Sequence, residues 1–161
     1  MSFAQPSLKG RALRLLSGRE YSRHELERKL KTHEEAPGEL AQALDELQAK
    51  GFISEPRVVE SVINRRSAKL GTARIRQELQ GKGLDPQAVA DAVASLKTTE
   101  LARAREVWRK KFGAKSDAAS DAVTTDAAAR GKQMRFLAAR GFGGDVIRRV
   151  VCGADDDAAD A

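Results

Sequence analysis

A chain of 161 residues has room for one ordinary domain or a few very small ones, and with 41% hydrophobic but 4% aromatic residues its core must be mainly Leu, Val, Ile and Ala. The lone Cys152 excludes a disulfide framework and a cysteine-built metal site, no apolar run approaches membrane-span length, and the start "MSFAQPSLKG" lacks an apolar signal core, so a cytoplasmic protein is expected. The net charge of +6 is uneven, with +1 over residues 1–53, +3 over 54–97, +6 over 98–153 and −4 over 154–161, which points to a polyanionic or acidic partner met by the middle and C-terminal parts.

The elements predicted in chain order are all helical, in keeping with a composition favouring Ala, Leu, Glu and Arg. Residues 8–17 place Leu8, Ala12, Leu15 and Leu16 on one face. Ser22-Arg-His-Glu25 reads as a capping box, with Tyr21 and Leu26 as the hydrophobic staple of a second helix that carries Leu30. After Pro37 a third helix sets Leu40, Leu44 and Leu47 at i, i+4 and i+7. Residues 56–70 align Val59, Val62, Ile63 and Leu70. A helix with Ile75 and Leu79 stops at Lys82-Gly83, where glycine suits a left-handed closing residue. Asp85-Pro86 then supplies an N-cap and a first-turn proline for the helix of Val89, Val93 and Leu96. Residues 99–112 line up Leu101, Ala104, Trp108 and Phe112, and "GAKSDAASDAVTT", 113–125, reads as a flexible loop. A helix bearing Leu137 closes at Gly141, and the last helix carries Ile147 and Val151 before an acidic, disordered tail over 154–161.

These elements repeat. From Leu79, apolar residues lie 10, 14 and 17 positions on; from Leu30, Leu40, Leu44 and Leu47 match all three offsets; from Leu137, Ile147 and Val151 match the first two. Leu26 and Ile75 sit four residues before their anchors, where the third copy has Gln133. The glycine that closes the anchor helix stands at 83 and 141, whereas copy one has Glu34. Anchors spaced 49 and 58 residues apart mark a helical repeat array. The expected fold is all-α, with three tandem three-helix-bundle repeats over 7–53, 54–97 and 98–153, nine helices in all, forming an elongated curved array.

The segment "RRSAKLGTARIRQELQGKGL", 65–84, resembles the corresponding segment of the RecX family, regulators of the recombinase RecA, at Arg65, Gly71, Arg74-Ile75, Glu78-Leu79 and Lys82-Gly83. "SRHELERKL" at 22–30, "LQAKGFIS" at 47–54 and "FLAARGF" at 136–142 match in order, so the resemblance covers about residues 7–152. Glu34 and the acidic tail depart from the pattern. The resemblance implies a bacterial protein that binds in the groove of the RecA–DNA filament. There it would lower filament extension, ATPase, strand exchange and coprotease activity in recombination, DNA repair and the SOS response. It would do so without catalysis of its own, as a monomer, with weak contact to single- or double-stranded DNA irrespective of sequence.

A DNA-filled groove exposes phosphates and acidic protein, and phosphate contacts need Lys or Arg but no particular base. The candidate contacts are Arg65, Arg66, Lys69, Arg74, Arg76 and Lys82 in the middle repeat. The third repeat offers Arg109, Lys110, Lys111, Arg130, Lys132, Arg135 and Arg140. Cations near a helix C-terminus also serve its dipole, so Lys69 and Arg140, like Arg148 and Arg149, have a purely structural alternative. Trp108 belongs to an apolar stripe, Tyr21 to a staple, and His24, His33 and Cys152 have no neighbours that would complete a metal or nucleophile site. No cofactor, metal or catalytic residue is expected. The competing function is a general DNA-binding protein with degenerate helix-turn-helix modules. Residues 86–96, "PQAVADAVASL", lack the polar, cationic side chains of a recognition helix.

Overall fold

The computed structural model describes residues 3–113 and 126–153; the expected loop, from residue 114 on, and the expected acidic tail lie outside them. The described residues form eight α-helices and a 3-10 turn, with no strand among them. These are α1 (Leu8–Gly18), α2 (Arg23–Leu30), a 3-10 turn (Lys31–His33), α3 (Glu39–Ala49), α4 (Glu55–Arg66), α5 (Thr72–Gly81), α6 (Pro86–Phe112), α7 (Ala127–Ala139) and α8 (Gly144–Cys152). The all-helical reading therefore holds. The count of nine helices does not, because 86–96 and 99–112 are one continuous 27-residue helix, α6. Lys97-Thr98-Thr99 holds neither proline nor glycine, so nothing local stops the backbone ladder there.

The helix ends obey the chemistry written at them. Ser22 Oγ accepts from Glu25 N–H while a Glu25 carboxylate oxygen accepts from Ser22 N–H at 2.8 Å, completing the capping box. Tyr21 and Leu26 are both buried, as a staple requires. Asp85 caps α6 by accepting from Ala88 N–H, and Gly83 and Gly141 have φ of 65° and 86°. Glu34 departs from glycine for a reason. Its side chain reaches forward, accepting from Gly38 N–H at 3.1 Å and Leu40 N–H at 3.2 Å, and so caps α3.

The chain divides into two compact units: Met1–Val62 with Leu79–Val89, and Ile63–Glu78 with Ala90–Ala161. In the first, α1 packs on α2 and α3 around Leu8, Ala12, Tyr21, Leu26, Leu30, Leu40, Leu44, Leu47 and Ile53. In the second, α7 packs on α8, and the core joins Ala104, Val107, Leu137, Phe142, Ile147 and Val151. The anchors and their offset partners are all buried, with Leu79 and Leu137 fully so. Val58 and Val107, outside the faces read from sequence, are also buried, while Val59, Ile63, Trp108 and Phe112 are half-exposed. Gln133, the polar break in the third copy, is buried because its side-chain oxygen accepts from Trp108 Nε1 at 3.0 Å.

Candidate functional site

The repeated glycine end sets up the site. In the second unit, Gly71 N–H donates to Arg140 C=O at 2.8 Å and Ala73 N–H to Gly141 C=O at 3.2 Å. The start of α5 is thus pinned by backbone to the end of α7. In the first unit, Ser22 Oγ donates to Lys82 C=O at 2.6 Å, joining the start of α2 to the end of α5. Aligning Leu26 with Ile75 pairs Ser22 with Gly71, and aligning Leu79 with Leu137 pairs Lys82 with Arg140. The same carbonyl is therefore used at both junctions. Approach this close leaves no room for side chains. A Cβ at Gly141 would come within 3.0 Å of Arg74 N and Cβ, and one at Gly83 would come 2.8 Å from His24 Cβ. Glycine is needed there for contact as well as for its left-handed φ.

The two junctions treat their cations differently. Lys82 is buried and its ammonium lies 2.7 Å from Glu25. In the second junction the residue aligned with Glu25 is Arg74, so no acid waits for Arg140. Its guanidinium instead stacks 3.8 Å over the Phe136 ring. Arg140 thereby becomes one wall of an open hollow of about 320 Å³, lined by Ala68, Lys69, Val107, Lys110, Lys111, Phe136 and Arg140. The floor is apolar and the rim carries four cations drawn from three places: the turn after α4, the end of α6 and the end of α7. Among the described residues, Lys69, Lys111 and Arg140 have no carboxylate in ion-pair range, and Lys110 lies 3.8 Å from Glu106. Such a rim suits an anionic group, and the floor suits a flat or apolar body beneath it.

The other sequence-derived candidates are spread more widely. Arg65 Nη2 and Arg66 Nε both hold the Glu78 carboxylate at 2.9 Å, which neutralises half their charge while leaving both exposed. Arg74 is exposed and lies against Gly141; Arg76 is exposed on α5. Arg109 pairs with Glu106 at 2.7 Å. Arg130 is half-buried in the first turn of α7, whereas Lys132 and Arg135 are exposed further along it. Lys69 lies on the turn that follows α4, one turn beyond the helix end. Lys82 is the residue this geometry removes from the surface set, since burial and Glu25 occupy its ammonium.

Sequence reasoning missed two residues that build the site. Arg103, on α6, donates to Ser67 C=O (3.1 Å), Leu70 C=O (2.6 Å), Thr72 Oγ1 (3.2 Å) and Leu96 C=O (3.1 Å). It ties the turn that carries Ala68 and Lys69 to α6. Burial lowers its pKa below the ordinary value, opposed by the Glu100 charge, but an arginine remains protonated. Glu100, also buried, accepts from Thr72 N–H at 3.1 Å and so caps α5. Glu100 lies four residues from each of the buried Leu96 and Ala104, and only the fold reveals that a turn presses on it and on Arg103. Among the described residues no group of three or more His, Cys, Asp and Glu is placed to hold a metal ion. No described helix is long and apolar enough to cross a membrane.

Fold and site together define an all-helical protein of tandem three-helix domains that offers a cation-rimmed surface. Family models of the RecX first, second and third three-helix domains match residues 9–47, 54–93 and 98–151. The chain belongs to the RecX family. It is 50% identical over 153 residues to the regulatory protein RecX of Leptothrix cholodnii, covering 95% of this chain and 92% of that one. It is 46% identical to the regulatory protein RecX of Herminiimonas arsenicoxydans over 88% of this chain and 89% of the relative. The crystal structure of RecX from Lactobacillus salivarius shares the fold, with a TM-score of 0.71 at 21% identity over 89% of this chain and 92% of that one.

Proposed function

We propose that the chain is a negative regulator of RecA that seats in the groove of the RecA–DNA filament and acts without catalysis of its own, in the cytoplasm. Three repeats, over 7–53, 54–97 and 98–153, would spread the contact over several protomers, which gives specificity a single short helix could not. The observation that carries this reading is the convergence of Lys69, Lys110, Lys111 and Arg140 on one hollow. Four cations around an apolar floor favour the phosphates of a DNA strand over a neutral surface. Arg74, Arg76, Lys132 and Arg135 extend the positive charge along α5 and α7.

The test is the DNA-dependent ATPase of RecA on single-stranded DNA, with the protein titrated from far below to equal the RecA concentration. The expected result is inhibition at strongly substoichiometric amounts, weakened about tenfold when Lys69, Lys110 and Lys111 are changed together to Ala, with a salt slope lower by roughly three phosphate contacts. No inhibition at equal concentration, with tight binding to bare DNA, would overturn the regulator reading in favour of a general DNA binder.

A further inference from the structure

The first unit contains a second hollow, larger than the first, at about 570 Å³. It is built from α1, α2 and the 3-10 turn, and its floor includes Leu15, Tyr21 and Leu30. Arg14, Lys29 and His33 stand exposed around it. Arg11 also lines it, but its guanidinium is bound to Gln5 Oε1 at 2.8 Å and Pro6 C=O at 3.2 Å, which closes one wall. Among the described residues neither Arg14 nor Lys29 meets a carboxylate in ion-pair range.

The chemistry differs from that of the hollow on α6 and α7. The floor sets the aliphatic side chains of Leu15 and Leu30 beside Tyr21, whose ring has Arg19 at 3.6 Å and the Lys29 ammonium at 6.0 Å. What the hollow does offer is room for an aliphatic or aromatic side chain beneath a positive rim. That combination matches a peptide with an apolar anchor flanked by carboxylates, because the anchor removes floor area from water while the acids meet Arg14 and Lys29. We infer that this hollow is a docking site for an acidic protein segment bearing one buried apolar residue. Its aliphatic floor, which an apolar side chain would cover and a phosphate would not, favours that occupant over nucleic acid. The inference does not depend on the proposed action on RecA, since it uses other residues and another ligand chemistry.

The experiment uses the full chain and a fluorescein-labelled peptide of alternating Asp and Leu, followed by fluorescence anisotropy at physiological salt. A peptide with Asn for Asp and a labelled oligo-dT serve as comparison probes. The Arg14→Glu, Lys29→Glu double variant is measured beside the parent; both residues are exposed on their helices, and circular dichroism checks that its helix content is unchanged. A second variant, Leu15→Gln, tests the floor. The result expected is binding of the acidic peptide about tenfold tighter than its neutral counterpart, lost in the charge-reversed variant and weakened in the floor variant, with oligo-dT binding unaffected by either. Equal binding of acidic and neutral peptides, peptide binding unchanged in the charge-reversed variant, or loss of oligo-dT binding in that variant would each overturn the inference, the last by assigning the hollow to nucleic acid.

Discussion

Gly71→Ala is the perturbation that tests the junction most directly. Gly71 has no left-handed φ, so its backbone conformation alone would accept alanine. The obstacle is the neighbour: a Cβ would lie closer than 3.0 Å to Gly141 C, Gly141 O and Phe142 N, all backbone atoms that no rotamer change can move. The start of α5 and the end of α7 must separate, and the bonds Gly71 N–H to Arg140 C=O and Ala73 N–H to Gly141 C=O go with them. Two backbone hydrogen bonds at ~1 kcal/mol each and overpacking of ~1–3 kcal/mol sum to about 3–5 kcal/mol. That is a large part of a stability of roughly 5–15 kcal/mol. Gly81→Ala is the matched control, since a Cβ at Gly81, the last residue of α5, meets nothing within 4 Å. It should be neutral or stabilising by up to about 1 kcal/mol. Urea unfolding followed by far-ultraviolet circular dichroism separates the two. A Gly71→Ala variant within about 1 kcal/mol of the parent would show that the carbonyl contact at Arg140 does not hold the helices together.

Burial alone would raise the Glu25 carboxyl, but hydrogen bonds from Lys82, the Ser22 N–H and Arg19 outweigh it and hold the pKa at about 2 against an ordinary 4.5. A depressed carboxyl stabilises the fold above its ordinary pKa, so Glu25→Gln should lose roughly 1–2 kcal/mol at pH 7. The gap to the parent should close as pH falls from about 4.5 toward about 2; a constant gap in pH-dependent urea titrations would contradict the ion pair. Arg103→Met takes the arginine donor from the Ser67 and Leu70 carbonyls, while Leu96 C=O keeps Thr99 Oγ1, and should cost about 2–4 kcal/mol, read as a fall in urea midpoint together with earlier hydrogen exchange at Leu70 and Thr72. Exchange unchanged at those two amides would deny Arg103 its hold on the turn. Leu79→Ala, at a fully buried anchor, should destabilise by ~2–5 kcal/mol, and a loss below about 0.5 kcal/mol would place it on the surface.

Much of this was legible in residue order. Period and capping chemistry act within a few residues, so Ser22–Glu25, Asp85-Pro86 and the anchors Leu30, Leu79 and Leu137 announce their roles locally. The repeat offsets show which residues go inside, because one helical face must be covered in each unit. The sequence also signals by omission that α6 runs on, through the lack of any breaker at 97–99, although counting repeats hides it.

Which cations stand free is another matter. Lys82 and Arg140 occupy the same place in their repeats, yet one is buried against Glu25 and the other lies over Phe136 on an open hollow. The difference arises from a residue on another helix, Glu25 in one junction and Arg74 in the other, and from which helix starts meet which helix ends. Glu78 likewise draws Arg65 and Arg66 together from 13 and 12 residues away. Residue type and spacing by themselves determined an all-helical repeat protein with buried anchors, glycine-closed helices and a basic second half. Only the tertiary structure decided where its charge is spent, because a cation's availability depends on the acids and rings that folding carries to within a few ångströms of it.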